Sequence, residues 1–252
     1  MDQLKTTIIN YCDGIYAIDQ QMVRAFLIVS KTKALLLDTG AVRTDIITRI
    51  KEITSLPVDV ILTHADGDHT GNLQDFSSAF INENDMPAVL ANETYKDVSL
   101  LPVNEGDVFD IGDRKLRVIF TPGHTAGSVC LLDEENKILF AGDTVSYGPV
   151  FMSGEGRNID DYLVSLKRLE LMKDDGKYNT IYCCHNTCPL PAQTVSDMIK
   201  CVQGIQDKMI TGFKVDIPLV TNGVPYIYKY GKCAILLEEN KNGSGQTNSE
   251  KG

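Results

Sequence analysis

Four short apolar runs in this chain each hand over directly to a histidine or an aspartate, and that arrangement most limits how it can fold. Residues 58–62 (VDVIL) lead into His64-Ala65-Asp66-Gly67-Asp68-His69, and residues 115–120 (KLRVIF) into Thr121-Pro122-Gly123-His124. Residues 138–140 (ILF) lead into Ala141-Gly142-Asp143, and residues 180–184 (TIYCC) into His185. Short, β-branched and bounded by turn residues, these runs read as strands. All four histidines of the 252 residues lie at such strand ends, and none is left for surface or core duty. Side chains collected from several strand ends can converge on one edge of a sheet, where the scaffold holds them and the loops shape a pocket.

The remaining pattern is that of an α/β domain. Residues 25–29 and 34–37 form a predicted hairpin, and residues 128–132 a further strand. Residues 44–53 place Ile46, Ile47, Ile50 and Ile53 at helical spacing, closed by Pro57, and residues 162–172 are amphipathic. Residues 193–210 read as a last long helix, and residues 72–80 as a short one followed by a loop at 82–87. Strands around turns at Asn222-Gly223 and Tyr230-Gly231 fill 215–237. From Glu238 onward no apolar residue occurs, so residues 1–238 are expected to form one domain and residues 239–252 a disordered tail.

Composition narrows the classes of function. A formal charge of −10 argues against a nucleic-acid surface, and no apolar run reaches the roughly 20 residues of a membrane helix. Seven cysteines, an odd number, and no basic-then-apolar leader suggest reduced thiols in the cytoplasm. A small-molecule substrate is expected; oligomeric state is not legible.

Imidazole and carboxylate are the usual ligands of zinc and of harder divalent metals. In a turn, the residues of His64-x-Asp66-x-Asp68-His69 can splay toward two neighbouring points, with Gly67 freeing the backbone. Thr121-Pro122-Gly123-His124-Thr125-Ala126-Gly127 is a second constrained turn that presents its imidazole. The metal candidates are therefore His64, Asp66, Asp68, His69, His124, Asp143 and His185, and two divalent ions are the implied cofactors.

The order and wording of these segments resemble the metallo-β-lactamase superfamily: Leu-Leu-Leu-Asp-Thr-Gly (35–40), Leu-Thr-His-Ala-Asp-Gly-Asp-His-Thr-Gly-Asn (62–72), Thr-Pro-Gly-His-Thr-Ala-Gly-Ser (121–128), Phe-Ala-Gly-Asp-Thr (140–144) and a later lone histidine. The resemblance covers nearly all of residues 6–237, and Gly156-Arg157-Asn158 with the following helix is similar to the glyoxalase-II-like branch. It implies a four-layer αββα sandwich, two mixed β-sheets flanked by helices, with the metals at one sheet edge. His64 and His124 would hold metal 1 with residue 66; Asp68, His69 and His185 would hold metal 2; Asp143 would bridge them. It further implies hydrolysis of an ester, thioester, lactone or amide by a metal-bound hydroxide, with Asp68 orienting the nucleophile and Tyr147 a candidate donor to the oxyanion.

Asp66 stands where the family's hydrolases usually have histidine. A shorter side chain is expected to reach metal 1 only with loop adjustment or through a water. Its extra negative charge favours Mn²⁺ or Fe²⁺ over the family's usual Zn²⁺ and a more alkaline activity limb. The same substitution leaves two other readings open: a diiron redox protein resembling the flavo-diiron branch, and a substrate-binding or sensing module with a reduced metal site. Arg157 is a candidate for holding a substrate anion.

Overall fold

The computed structural model describes residues 6–12, 14–218, 220 and 223–239. Strands β1 (Thr7–Cys12), β2 (Ile15–Asp19), β3 (Arg24–Val29) and β4 (Ala34–Leu37) make an antiparallel meander. After helix α1 (Ile46–Ile53), β5 (Val58–Ile61) joins β4 in parallel. Helix α2 (Gly67–Thr70), β6 (Ser78–Asn82), α3 (Met86–Leu90) and β7 (Ser99–Val103) follow, completing a seven-stranded sheet in chain order. The second sheet begins with β8 (Val108–Asp110), β9 (Lys115–Phe120), β10 (Val129–Asp133) and β11 (Ile138–Gly142), all antiparallel neighbours. The chain leaves it through β12 (Gly148–Phe151) and helix α4 (Ile159–Asp174), then returns with β13 (Thr180–Cys183) parallel to β11 and β14 (Leu190–Pro191) at the edge. Helix α5 (Thr194–Gln206), β15 (Phe213–Lys214), β16 (Val224–Tyr230) and β17 (Cys233–Glu239) end the described chain, and β12 pairs in parallel with β17.

Alternation along the strands sorts the apolar residues into layers. Ala17, Phe26, Ile28, Leu35 and Leu37 of the first sheet meet Val118, Val129, Leu131, Phe140 and Tyr182 of the second in a central core. Phe140 stacks on Tyr182 with centroids 5.4 Å apart, and Phe26 packs edge-on to both. The opposite face of the first sheet carries Ile18, Leu27, Leu36 and Val60 against Ile46 and Ile50 of α1. Beyond the second sheet, Cys130, Leu132 and Leu139 pack on Leu166 and Leu169 of α4 and on Val195, Met198 and Val202 of α5. Helices therefore lie outside two facing sheets, as the resemblance implied. The four-stranded sheet β12-β17-β16-β15 supplements the two expected ones.

Two local readings need correction. Residues 72–80 are not a helix: a 3-10 turn at Leu73–Asp75 gives way to β6. Within β6, which pairs with β5 and β7, Ala79 and Ile81 pack in the outer layer while Phe80 packs against the central core, so apolar residues fall on both faces and periodicity does not separate strand from helix. The loop expected at 82–87 becomes helical from Met86, with Pro87 in the first turn. The tail lies outside the described residues, except that the last strand extends to Glu239. Of the two C-terminal turns, Asn222 also lies outside them, whereas Tyr230-Gly231 does turn between β16 and β17. Among the described residues no helix is long and apolar enough to cross a membrane.

Candidate metal centre

Each histidine is fixed through Nδ1 and turned so that Nε2 points into one small region. His69 Nδ1 lies 2.8 Å from Asp38 Oδ2, His124 Nδ1 2.9 Å from the Phe151 carbonyl, and His185 Nδ1 2.6 Å from the Met22 carbonyl. These oxygens only accept, so each Nδ1 carries the hydrogen. His64 Nδ1 lies 3.0 Å from Thr63 Oγ1, whose own hydrogen goes to Asp38 Oδ2 at 2.8 Å, so this Nδ1 also donates. When neutral, all four rings therefore present an Nε2 lone pair, the orientation that outer hydrogen bonds impose on metal-binding histidines. Asp38, placed by the Leu-Leu-Leu-Asp-Thr-Gly strand end, is absent from the donors expected from sequence. It accepts from Thr63 N, Thr63 Oγ1, His69 Nδ1 and Cys184 Sγ. Its oxygens are occupied, and burial and the Asp38 charge push the Cys184 thiol up, so Asp38, His69 and Cys184 form a hydrogen-bonded support.

The lone pairs collect in two groups. His64 and His124 Nε2 are 3.2 Å apart, and Asp66 Oδ2 lies 3.5 and 3.2 Å from them. His69 and His185 Nε2 are 3.3 Å apart, with Asp68 Oδ2 at 3.8 and 3.3 Å and Asp143 Oδ1 at 3.3 and 3.2 Å. Donors around a tetrahedral ion with bonds of about 2.0–2.1 Å stand roughly 3.3–3.4 Å apart, so both sets have the edges of such a polyhedron. Asp143 faces both groups, with Oδ2 3.7 Å from His124 Nε2. Its Oδ1 is buried and accepts no hydrogen bond, an orphaned anionic oxygen that a cation would satisfy.

Asp66 lies on this face, its Oδ2 3.2 Å from His124 Nε2 and 3.5 Å from His64 Nε2. Arg157 lies behind it, with one guanidinium nitrogen donating to both oxygens at 2.8 and 2.6 Å and the other to the His124 carbonyl at 2.5 Å. Arg157 is thus engaged at the cluster, both terminal nitrogens already hydrogen-bonded. Gly67 is not a backbone device either: it opens the one-turn helix α2, with Asp66 at its N-cap.

Known proteins share this geometry's framework. The model of the metallo-beta-lactamase superfamily matches residues 18–185, which runs from β2 to the last histidine. The chain belongs to the metallo-β-lactamase superfamily. Among curated relatives, acyl-coenzyme A thioesterase MBLAC2 of Gallus gallus is 35% identical over 147 residues, covering 48% of this chain and 53% of that protein. Lactamase-like protein nscB of Aspergillus fumigatus is 31% identical over 136 residues, covering 51% of this chain and 39% of that protein. The chain thus spans about half the length, or less, of these relatives. A metallo-beta-lactamase from Pontibacter korlensis shares the fold with a TM-score of 0.66 at 19% identity, over 79% of this chain and 99% of that one. A flavodiiron protein from Giardia intestinalis also shares it, with a TM-score of 0.59 at 15% identity, over 79% of this chain and 59% of that one.

In this member of the superfamily the loops bearing His64 and His124 are tied together by a buried carboxylate that sequence reasoning missed. Asp85 accepts from Ala65 N at 2.9 Å, Thr125 Oγ1 at 2.8 Å and Gly127 N at 2.7 Å. Helix α4 clamps the second loop from outside: Asn158 N donates to the Gly123 carbonyl and Ser165 Oγ to the Pro122 carbonyl. Gly123 has φ +138°, and a Cβ there would stand 2.4 Å from Tyr162 Cα. Gly142 has φ +51°, and a Cβ would meet Thr63 Oγ1 at 2.8 Å, so the turn before Asp143 can press against the His64 loop only as glycine.

Charge in the cluster is strongly coupled. Burial alone would raise the Asp143 carboxyl, but His69 and His185 outweigh it and hold the group well below the usual range. Burial would likewise lower His185, yet the Asp143 charge and the Asp68 carboxylate beside it push it up to about 10. Asp66 is held far down: its burial is overcome by the neighbouring His124 and His64 rings. His124, by contrast, is lowered by its own burial.

Tyr147 is half-buried against the apolar cluster under the second sheet, with Lys232 Nζ 5.2 Å from its ring centroid. Those contacts are with the helical side and the third sheet. A cleft of about 440 Å³ adjoins the cluster, with Asp66, Arg157, Asn84, Thr125 and Glu155 among its walls. A larger depression of about 590 Å³ is lined by Arg43, Thr44, Asp45, Ile47 and Asp75, none of them part of the cluster.

Proposed function

We propose that the chain is a metal-dependent hydrolase acting on a small-molecule carboxylic thioester or ester, with lactones and amides as further candidates. The observation that carries this reading is the pair of donor groups meeting at Asp143, whose edge lengths suit two divalent ions. His64, Asp66 and His124 would hold the first ion, Asp68, His69 and His185 the second, and Asp143 would bridge them. A bound pair of this kind supplies an activated water and polarises the substrate carbonyl. The thioesterase name of the MBLAC2 relatives supports the thioester in first place.

The protein's own contribution is positional. Asp38, Thr63 and the Phe151 and Met22 carbonyls lock the four imidazoles before any substrate arrives, so no reorganisation is needed during the reaction. Asp68 is the most solvent-exposed carboxylate of the cluster, 43% against 16% for Asp143. It is held as an anion, with its pKa lowered by His185 and His69 against the opposing effect of burial. Its exposure lets a proton taken at the carboxylate pass on to solvent. Tyr147 is given no part in the chemistry, because its contacts are with the helical side and Lys232.

The test is a panel of acyl thioester, aryl ester, lactone and β-lactam substrates with metal-loaded and chelated protein. Turnover of a thioester or ester that chelation abolishes is expected, with Asp68→Asn lowering kcat by about 10²-fold or more. Tyr147→Phe should leave kcat nearly unchanged, whereas an oxyanion donor would cost about 10²–10³-fold. A second reading, diiron redox chemistry, draws on the carboxylate at position 66. Stoichiometric iron with O₂ or NO reduction and no hydrolysis would favour it over ours.

A further inference from the structure

The aspartate at position 66 has a partner 91 residues away. Arg157 immediately precedes Asn158, the cap of α4, whose side chain accepts from Asp160 N and Asp161 N. The same cap donates its backbone N–H to the Gly123 carbonyl, so the guanidinium is delivered to the His124 loop by a helix clamped onto that loop. Its side chain is 14% exposed. There it donates to both Asp66 oxygens and to the His124 carbonyl, and so touches the two loops that carry the first donor group.

We propose that Asp66 and Arg157 work as one ligand unit, in which Arg157 is a positioning residue that makes a carboxylate usable where a neutral ring would otherwise stand. Arg157 holds both oxygens, Oδ2 at 2.6 Å and Oδ1 at 2.8 Å, and so fixes the carboxylate with Oδ2 turned toward His64 and His124. The charge balance agrees. Asp66, Asp68 and Asp143 with Arg157 have a net charge of −2, the same as Asp68 and Asp143 alone with a neutral histidine at 66. Arg157 thus offsets the extra negative charge that Asp66 brings to the site. Replacing Asp66 alone leaves a nearly buried guanidinium unpaired beside a cation, and like charges at this range in a poorly hydrated site repel strongly.

The inference rests on the reading of the cluster as a cation site, and the test separates the two. Binding of Zn²⁺ alone to the full chain is measured by competition with a chromophoric chelator, for wild type, Asp66→His, Arg157→Gln and the double variant. Thermal melts of the metal-free forms confirm folding. With Arg157 present, Asp66→His should weaken the first-site affinity by about tenfold or more, the scale of outer-ligand losses at metal sites. With Gln at 157, the same substitution should cost nothing or strengthen binding. Arg157→Lys, which keeps the charge without the fork, should fall between wild type and Arg157→Gln. An equal effect of Asp66→His in both backgrounds overturns the pairing. Failure of wild type to bind Zn²⁺ at all removes the cation site itself. Should Asp66→His not fold, Asp66→Asn takes its place in the cycle with the same expected dependence on residue 157.

Discussion

At the scale of single residues, the cluster is a set of pre-oriented lone pairs held by groups with no other task. His185 and His69 are raised chiefly by Asp143 against the cost of their burial, and Asp143 and Asp68 are lowered by the same histidines. In metal-free protein the sign of each contribution follows. The raised histidines stabilise the fold fully below their ordinary pKa of about 6.5, and lose that contribution as pH rises through the folded value, about 10 for His185. The lowered aspartates contribute above about 3.9 and lose it only as pH falls through their depressed values. Chelated protein should therefore melt at highest temperature near pH 4–6.5, by the same reference values, and several degrees lower by pH 10. A melting temperature that does not fall between pH 7 and 10 after chelation would contradict the pairing. The candidate donors were legible in the sequence because histidine and aspartate are scarce at strand ends unless used. Arg157 as partner of Asp66, and Asp85 as tie between loops, were not legible, since each acts across tens of residues through contacts that leave no local pattern.

At the scale of elements, strands do the placing and glycines permit the close approaches. The sheets put β5, β9, β11 and β13 in positions where their C-terminal ends feed the four ligand loops, and α4 locks one of those loops through Gly123. Gly123→Ala must relieve both the positive φ and the contact with Tyr162. It should cost more than about 1 kcal/mol in denaturant unfolding and weaken metal binding at the His64–His124 side. Gly67→Ala, with no atom within 4 Å of the added methyl and no left-handed φ, should be tolerated in both measurements. Equal behaviour of the two variants would show that the clamp has no role. The strands before each ligand were readable from their apolar runs, as were α1, α4 and α5 from helical spacing. The error at 72–80 arose because β6 turns Ala79 and Ile81 to one layer and Phe80 to the other, so its pattern is set by tertiary neighbours. Strands β1, β2 and β12 were not read from the sequence, and β15, with two residues, is too short to show a period.

At the scale of the whole molecule, two sheets press a common core between them and bring ligands from both to a single place. The first sheet supplies Asp38, His64, Asp66, Asp68 and His69 from its strand ends and the loop after β5; the second supplies His124, Asp143 and His185. Neither half holds a complete set, so the site exists only when the layers are packed as they are here. Diffraction from crystals grown with Zn²⁺, with data on either side of the zinc absorption edge, tests this most directly. Two anomalous peaks about 3.5–4 Å apart are expected, one enclosed by His64, Asp66 and His124 and the other by Asp68, His69 and His185, with Asp143 between them. No ordered peak within reach of these side chains, or a lone peak on the Asp38–Cys184 side of His69, would contradict it.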